Sequence, residues 1–124
     1  MQESGEMYLQ YIYLLSKEKP RVRSIDLSEH MGYSKPSISR AVSILKKDGY
    51  ITVDEHGGLN LTPPGLAIAE KIYERHVLLE KFLVHIGVSS EVAAHDACRM
   101  EHVISDETFH SLRAYVNTLS KDSH

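Results

Sequence analysis

The first part of the chain carries apolar residues in three short blocks at helical spacing. Met7, Leu9, Ile12, Tyr13 and Leu15 fall at mixed three- and four-residue intervals, which predicts a helix over about 6–16. Pro20 closes it, because proline has no N–H to continue a helical ladder. Ser24 is placed as the N-cap of a short second helix over 25–31, ended by Gly32. Ser34 caps a third helix with Lys35-Pro36 in its first turn, where the missing proline N–H costs nothing. Ile38, Val42 and Leu45 form its inner face, and it stops near Asp48-Gly49.

The period then changes. Two β-rich runs within 50–62 flank His56-Gly57-Gly58, the pattern of a hairpin. Helical spacing returns at Thr62-Pro63-Pro64-Gly65, with Thr62 as cap, and runs to about 86, where Gly87 ends it. Ser89 or Ser90 caps a fifth helix. Ser105-Asp106-Glu107 opens a sixth to about 119, with Leu112, Val116 and Leu119 as its apolar stripe. The fold class expected is mainly α. Two helices joined by a tight glycine-containing turn and followed by a hairpin make a winged helix-turn-helix, here over 1–64, and an all-helical domain follows over 65–124.

Composition bounds what such a chain does. Its 124 residues suffice for two small domains, and 42% hydrophobic with 25% charged residues are globular values. No run of about 18 apolar residues exists, and no basic-then-apolar leader is visible, so no membrane span and no secretory signal are expected. A single cysteine cannot form an internal disulfide and fits a reducing cytoplasm. The net charge of −3 is unevenly spread. Residues 20–50 hold six basic side chains against three acidic, whereas 66–124 hold nine acidic against six basic. A basic segment on an acidic body is the electrostatic footprint of a small DNA-binding module.

The third helix begins Ser34-Lys35-Pro36-Ser37-Ile38-Ser39-Arg40, so its outward positions are small, hydroxylic or basic. Hydroxyls and N–H groups at a helix N-terminus bind phosphate, and an arginine there reaches a guanine edge. Arg23 and Lys46 join them as candidate DNA contacts. Serine and proline are also simply good helix starters, so the basic surplus is what points to DNA.

In the fifth helix region stands Cys98-Arg99-Met100-Glu101-His102. Positions i, i+3 and i+4 share a helix face, so a thiolate, a carboxylate and an imidazole would project together. That mixed set suits a divalent transition metal rather than calcium or magnesium. A small buried Cys beside an exposed Glu is the plainer alternative.

The chain resembles the diphtheria-toxin-repressor family of metal-dependent transcriptional repressors, which has iron- and manganese-responsive branches. The resemblance rests on Glu6-Met-Tyr-Leu-Gln-Tyr-Ile-Tyr13, Ser34 to Arg40 with Lys47-Asp-Gly-Tyr50, Leu61-Thr-Pro-Pro-Gly65, and Cys98 to Glu107. It implies a DNA-binding domain followed by a metal-binding and dimerisation domain, in a two-domain form without a C-terminal β-barrel domain. It also implies a primary metal site of Met7, Cys98, Glu101 and His102, the ligand types of the iron branch. The second site of the family uses His76 and Glu80, with a further His at a position that is Ala94 here, next to His95. The manganese branch has carboxylates where this chain has Met7, Gln10 and Cys98.

The implied function is a homodimeric repressor that binds palindromic double-stranded operator DNA in the cytoplasm when metal bridges its two domains, with no membrane, no small-molecule substrate and no enzymatic role. Val88, Val92, Leu112 and Val116 are the candidate partner face. Soft sulfur donors favour Fe(II), with Mn(II) possible and Zn(II), Co(II) or Ni(II) able to substitute in vitro. A manganese regulator of the same fold and a thiol-based repressor using Cys98 are the alternatives. A metal-dependent hydrolase has against it the lack of an evident nucleophile or an H-E-x-x-H pattern.

Overall fold

The computed structural model describes residues 3–122; His124, one of the eight histidines, lies outside them. The element order is α1 (Glu3–Glu18), α2 (Ser24–Met31), α3 (Lys35–Lys47), β1 (Ile51–Val53), β2 (Leu59–Leu61), α4 (Pro63–His85), α5 (Ser90–Met100) and α6 (Asp106–Asp122). This is a mainly helical chain with one small hairpin, as the periodicity predicts. It divides into two compact units, Met1–Lys71 and Ile72–His124, with the division inside α4.

In the first unit, α1 packs on α2, α3 and β2, and α2 packs on α3. Leu9, Ile12, Leu15, Val22, Leu27, Ile38, Leu45, Ile51, Leu59 and Ala69 form its core. The turn between α2 and α3 is built locally. Gly32 takes φ +73°, the left-handed region that ends a helix, and its N–H donates to Ser28 O at 2.9 Å. Ser28 Oγ donates to Tyr33 O at 2.7 Å. Ser34 then caps α3 as expected, accepting from Ser37 N–H at 3.3 Å.

Ser24 does not cap α2. Arg23 occupies the N-cap, and its N–H donates to Asp26 Oδ2 at 2.8 Å, the reciprocal half of a capping box. Asp26 also accepts from Lys19 Nζ at 2.7 Å, so the carboxylate three residues on, and not the serine hydroxyl, fixes where the helix starts.

The wing is antiparallel with Ile51 opposite Leu61 and Val53 opposite Leu59. Its turn is organised by Asp54, whose Oδ1 accepts from His56 N–H at 2.9 Å and Gly58 N–H at 2.8 Å. Leu59 N–H donates to Val22 O at 2.7 Å, which ties β2 to the segment before α2. Thr62 links wing and helix: its hydroxyl donates to Gly49 O at 2.7 Å and accepts from Gly65 N–H at 3.3 Å. Gly65 is where the chain passes so close to the Tyr50 carbonyl that a Cβ would overlap it.

In the second unit, Ile72, Leu79, Ala93, Ala97, Phe109 and Val116 are buried. Ser89 caps α5 through Val92 N–H at 3.4 Å, and Ser105 caps α6 through Thr108 N–H at 3.1 Å. Phe82 of α4 meets Tyr115 of α6 edge to face, ring centres 6.1 Å apart. Val116, expected on a partner face, is only 3% exposed and belongs to this unit's own interior. Val88 and Leu112 are half-buried, and Val92 is exposed. Val116 thus faces inward with Phe109, because a three-helix unit this small needs both for its own core.

Candidate metal centre and nucleic-acid interface

Helix α5 ends at Met100, sooner than a helix carrying Cys98, Glu101 and His102 on one face requires. Cys98 lies in its last turn, Glu101 is the C-cap, and His102 stands in the following turn. Glu101 N–H still bonds Ala97 O at 3.0 Å, and Val103 and Ile104 N–H both reach back to Met100 O, so the turn is tightly wound. Glu101 is completely buried, a rare position for a carboxylate unless it is paired.

Its partners come from α4. His76 Nδ1 lies 2.8 Å from Glu101 Oε2, and His76 Nε2 lies 3.1 Å from Glu80 Oε2, one turn further along the helix. With a carboxylate at each ring nitrogen, the imidazolium satisfies both. The hydrogen bond that His76 donates to Glu101 accordingly holds the His76 pKa above its usual range, against the opposing effect of burial. Burial pushes the Glu101 carboxyl up, but contact with His102 and His76 and their charges outweigh it, and the net pKa is lowered. His102 Nε2 lies 3.3 Å from Glu101 Oε1, an ion-pair contact outside hydrogen-bond geometry.

Four predicted ligands, His76, Glu80, Glu101 and His102, are therefore brought together, with Cys98 three residues before Glu101. His95 is instead an exposed side chain beside Asp96, 3.6 Å from its Oδ1. Met7 and Gln10 belong to α1 in the first unit. Met7 is half-buried and its sulfur accepts from Tyr33 OH at 3.8 Å. Gln10 is 4% exposed, and its Oε1 has no hydrogen-bond partner.

Among the described residues, no three His, Cys, Asp or Glu side chains stand as a ready-made cation site. The side chains around Glu101 pair with one another. The donor set nevertheless fits a divalent cation. A fully buried carboxylate has one oxygen without a hydrogen bond, and two imidazoles flank it. His76, Glu101 and His102 would hold such a cation, which would add positive charge beside Glu101 in place of protons.

The candidate DNA contacts are all in the first unit. Ser34, Lys35, Pro36, Ser37, Ser39 and Arg40 are exposed on the leading end of α3, whereas Ile38 turns into the core. Arg23 and Lys46 are exposed as well. Ser34 Oγ donates to Ser37 Oγ at 2.9 Å, which presents a cluster of hydroxyls at the helix N-terminus.

A winged helix-turn-helix with a basic, hydroxyl-rich recognition helix, joined to a helical unit whose His and Glu side chains gather around the buried Glu101, is the architecture of a DNA-binding regulator. Comparison with known proteins agrees. Residues 1–59 match the family described as iron dependent repressor, N-terminal DNA binding domain. Residues 62–124 match iron dependent repressor, metal binding and dimerisation domain. The chain is 39% identical over 102 residues to the HTH-type transcriptional regulator MntR of Geobacillus thermodenitrificans, covering 82% of this chain and 72% of that protein. It superposes on the manganese regulator SloR with a TM-score of 0.81 at 30% identity, covering 91% of this chain and 53% of that one. A manganese-dependent transcriptional repressor, in complex with manganese, gives 0.84 at 28% identity, with 91% and 52% covered. The chain spans about half the length of these two solved chains.

The chain belongs to the iron-dependent repressor family. The two descriptions name the DNA-binding domain and the metal-binding and dimerisation domain of an iron-dependent repressor. No described helix is long and apolar enough to cross a membrane. Sequence reasoning missed the buried Arg75, whose partners lie around residues 104–109; no local pattern links it to them.

Proposed function

We propose that this chain is a metal-activated transcriptional repressor that binds double-stranded operator DNA as a homodimer. The observation that carries the metal part is Glu101, wholly buried with one unsatisfied oxygen, between His76 and His102. His76, Glu101 and His102, with Cys98 and Glu80, are the residues that would hold the ion. The part assigned to Met7, Gln10 and His95 rests on the family resemblance. Bound, a divalent cation neutralises Glu101 and draws its ligands into one rigid group.

For the metal itself, the two similar solved proteins are a manganese regulator and a manganese-dependent repressor. They favour Mn(II) over Fe(II). One feature of the chain keeps Fe(II) as a second reading: Cys98 and Met7 are soft donors, whereas Mn(II) prefers carboxylates. The recognition helix supports the DNA part, since its exposed residues are hydroxylic or basic from Ser34 to Arg40.

The test is anaerobic binding to an imperfect palindromic operator, titrated in parallel with Mn(II) and Fe(II). Activation by Mn(II) at concentrations equal to or below those of Fe(II) is the expected result, and Glu101→Gln should abolish it while leaving the chain folded. Activation by Fe(II) alone would shift the assignment to the sulfur donors. DNA binding indifferent to both metals, but altered by peroxide, would replace the metal reading with a thiol switch at Cys98.

A further inference from the structure

Arg75 sits on α4 immediately before His76, and its side chain is only 7% exposed. A guanidinium cannot shed its proton, so it is buried only where its donors are engaged. One terminal nitrogen donates to Ile104 O at 2.8 Å, and the other pairs with Asp106 Oδ1. Its central carbon lies 5.2 Å from the centre of the Phe109 ring. All these anchors fall on the turn that follows His102 and on the first turn of α6. Adjacent α4 residues therefore hold both sides of one turn: His76 grips it at Glu101, and Arg75 grips it at Ile104 and Asp106.

We infer that Arg75 is a positioning residue for the metal centre, fixing the 101–105 turn so that Glu101 and His102 are presented to His76. This rests on the metal reading given above. Two arguments separate it from ordinary packing. Only Arg has a planar fork that spans a carbonyl and a carboxylate at once; Lys can engage one of them. Moreover, a buried ion pair replaced as a whole by apolar residues often costs no stability, so such a pair is weak evidence for a purely stabilising role. Arg75 Nε is buried without a hydrogen bond, so the residue is not optimised for stability alone. Its distinctive contribution is the location of the turn.

The test compares wild type with Arg75→Met, Arg75→Lys and Asp106→Asn, using Co(II) absorption for ligand geometry, Mn(II) titration for affinity, and thermal unfolding without metal. Arg75→Met should lower metal-free stability by removing one partner of a buried pair and, where it still folds, bind Mn(II) about 10- to 100-fold more weakly, as outer residues of metal sites do. Its Co(II) bands should also shift. Arg75→Lys should recover part of the affinity. Asp106 is 63% exposed, so Asp106→Asn carries the test if Arg75→Met does not fold; a smaller loss of affinity with altered Co(II) bands is expected. Wild-type affinity and unchanged Co(II) bands in the variant that folds would overturn the role of Arg75. Absence of Co(II) and Mn(II) binding by the wild-type chain would instead overturn the metal reading, and this inference with it.

Discussion

Single charged side chains do two different jobs in this molecule. Glu101, wholly buried, and the half-buried His76 hold each other in a charged pair, 2.8 Å apart. Asp26 works at the surface, where it fixes the start of α2. Its hydrogen bond from Lys19, followed by that from the Arg23 N–H, holds its pKa below the usual 3.8. A carboxylate depressed in this way adds stability that is present above its unfolded pKa and is lost as pH falls through the folded one. Asp26→Ala should therefore cost about 1 kcal/mol at neutral pH, the usual worth of a helix-start side chain. The gap from wild type should close as the pH is taken below 3.8. Urea unfolding of both proteins at pH 7 and near pH 3 measures it, and a gap unchanged between the two would refute the assignment. Ser24 shows why this residue was hard to read: a serine before an apolar run is a good cap signal, but a carboxylate two residues on can move the helix start by one.

At the scale of elements, most of the fold was legible because caps and turns are local. Ser34, Thr62 and Ser105 mark their helix starts as the sequence predicts, Ser89 rather than Ser90 caps α5, and Gly32 ends α2 in the left-handed region. The end of α5 was not legible. Continuing helical spacing put Cys98, Glu101 and His102 on one face, whereas the helix stops at Met100 and the turn carries the last two. Arg75 reaches from α4 to Ile104 and Asp106 beside that turn, and contacts across some 30 residues leave no periodic trace. The motif Thr62-Pro-Pro-Gly65 carries a tertiary constraint as well as a cap. A Cβ at position 65 would fall on the Tyr50 carbonyl, which is backbone and cannot swing aside. Gly65→Ala should destabilise the first unit by about 1–3 kcal/mol, the usual range for overpacking. That outcome runs against the gain a Gly→Ala change normally brings inside a helix. A thermal melt equal to wild type would mean the wing and α4 separate freely.

For the whole molecule, the distribution of charge matters more than its sum. A net charge of −3 would repel a polyanion, yet Arg23, Lys35, Arg40 and Lys46 are all exposed on the helix-turn-helix unit, while the acidic surplus lies beyond residue 66. DNA affinity should then fall steeply with salt, because each neutralised phosphate releases counterions. Arg40→Ala should weaken operator binding by about 1–3 kcal/mol if it reads a base edge, with relaxed discrimination at one position. If it binds only phosphate, the loss should be uniform across sequences, with a shallower salt slope. Either way the metal affinity of the free protein should be unchanged, because Arg40 lies outside the His76–Glu101 cluster. The same variant tests the coupling of the two activities. If metal raises operator affinity by some factor, operator must raise metal affinity by that factor. Mn(II) titrations of wild type with and without operator should therefore differ by the ratio found in DNA titrations with and without Mn(II). At a DNA concentration too low for Arg40→Ala to bind, that difference should vanish for the variant while its free-protein titration overlays wild type. A wild-type Mn(II) affinity indifferent to operator would separate metal binding from repression and leave the buried cluster a structural feature of the second unit.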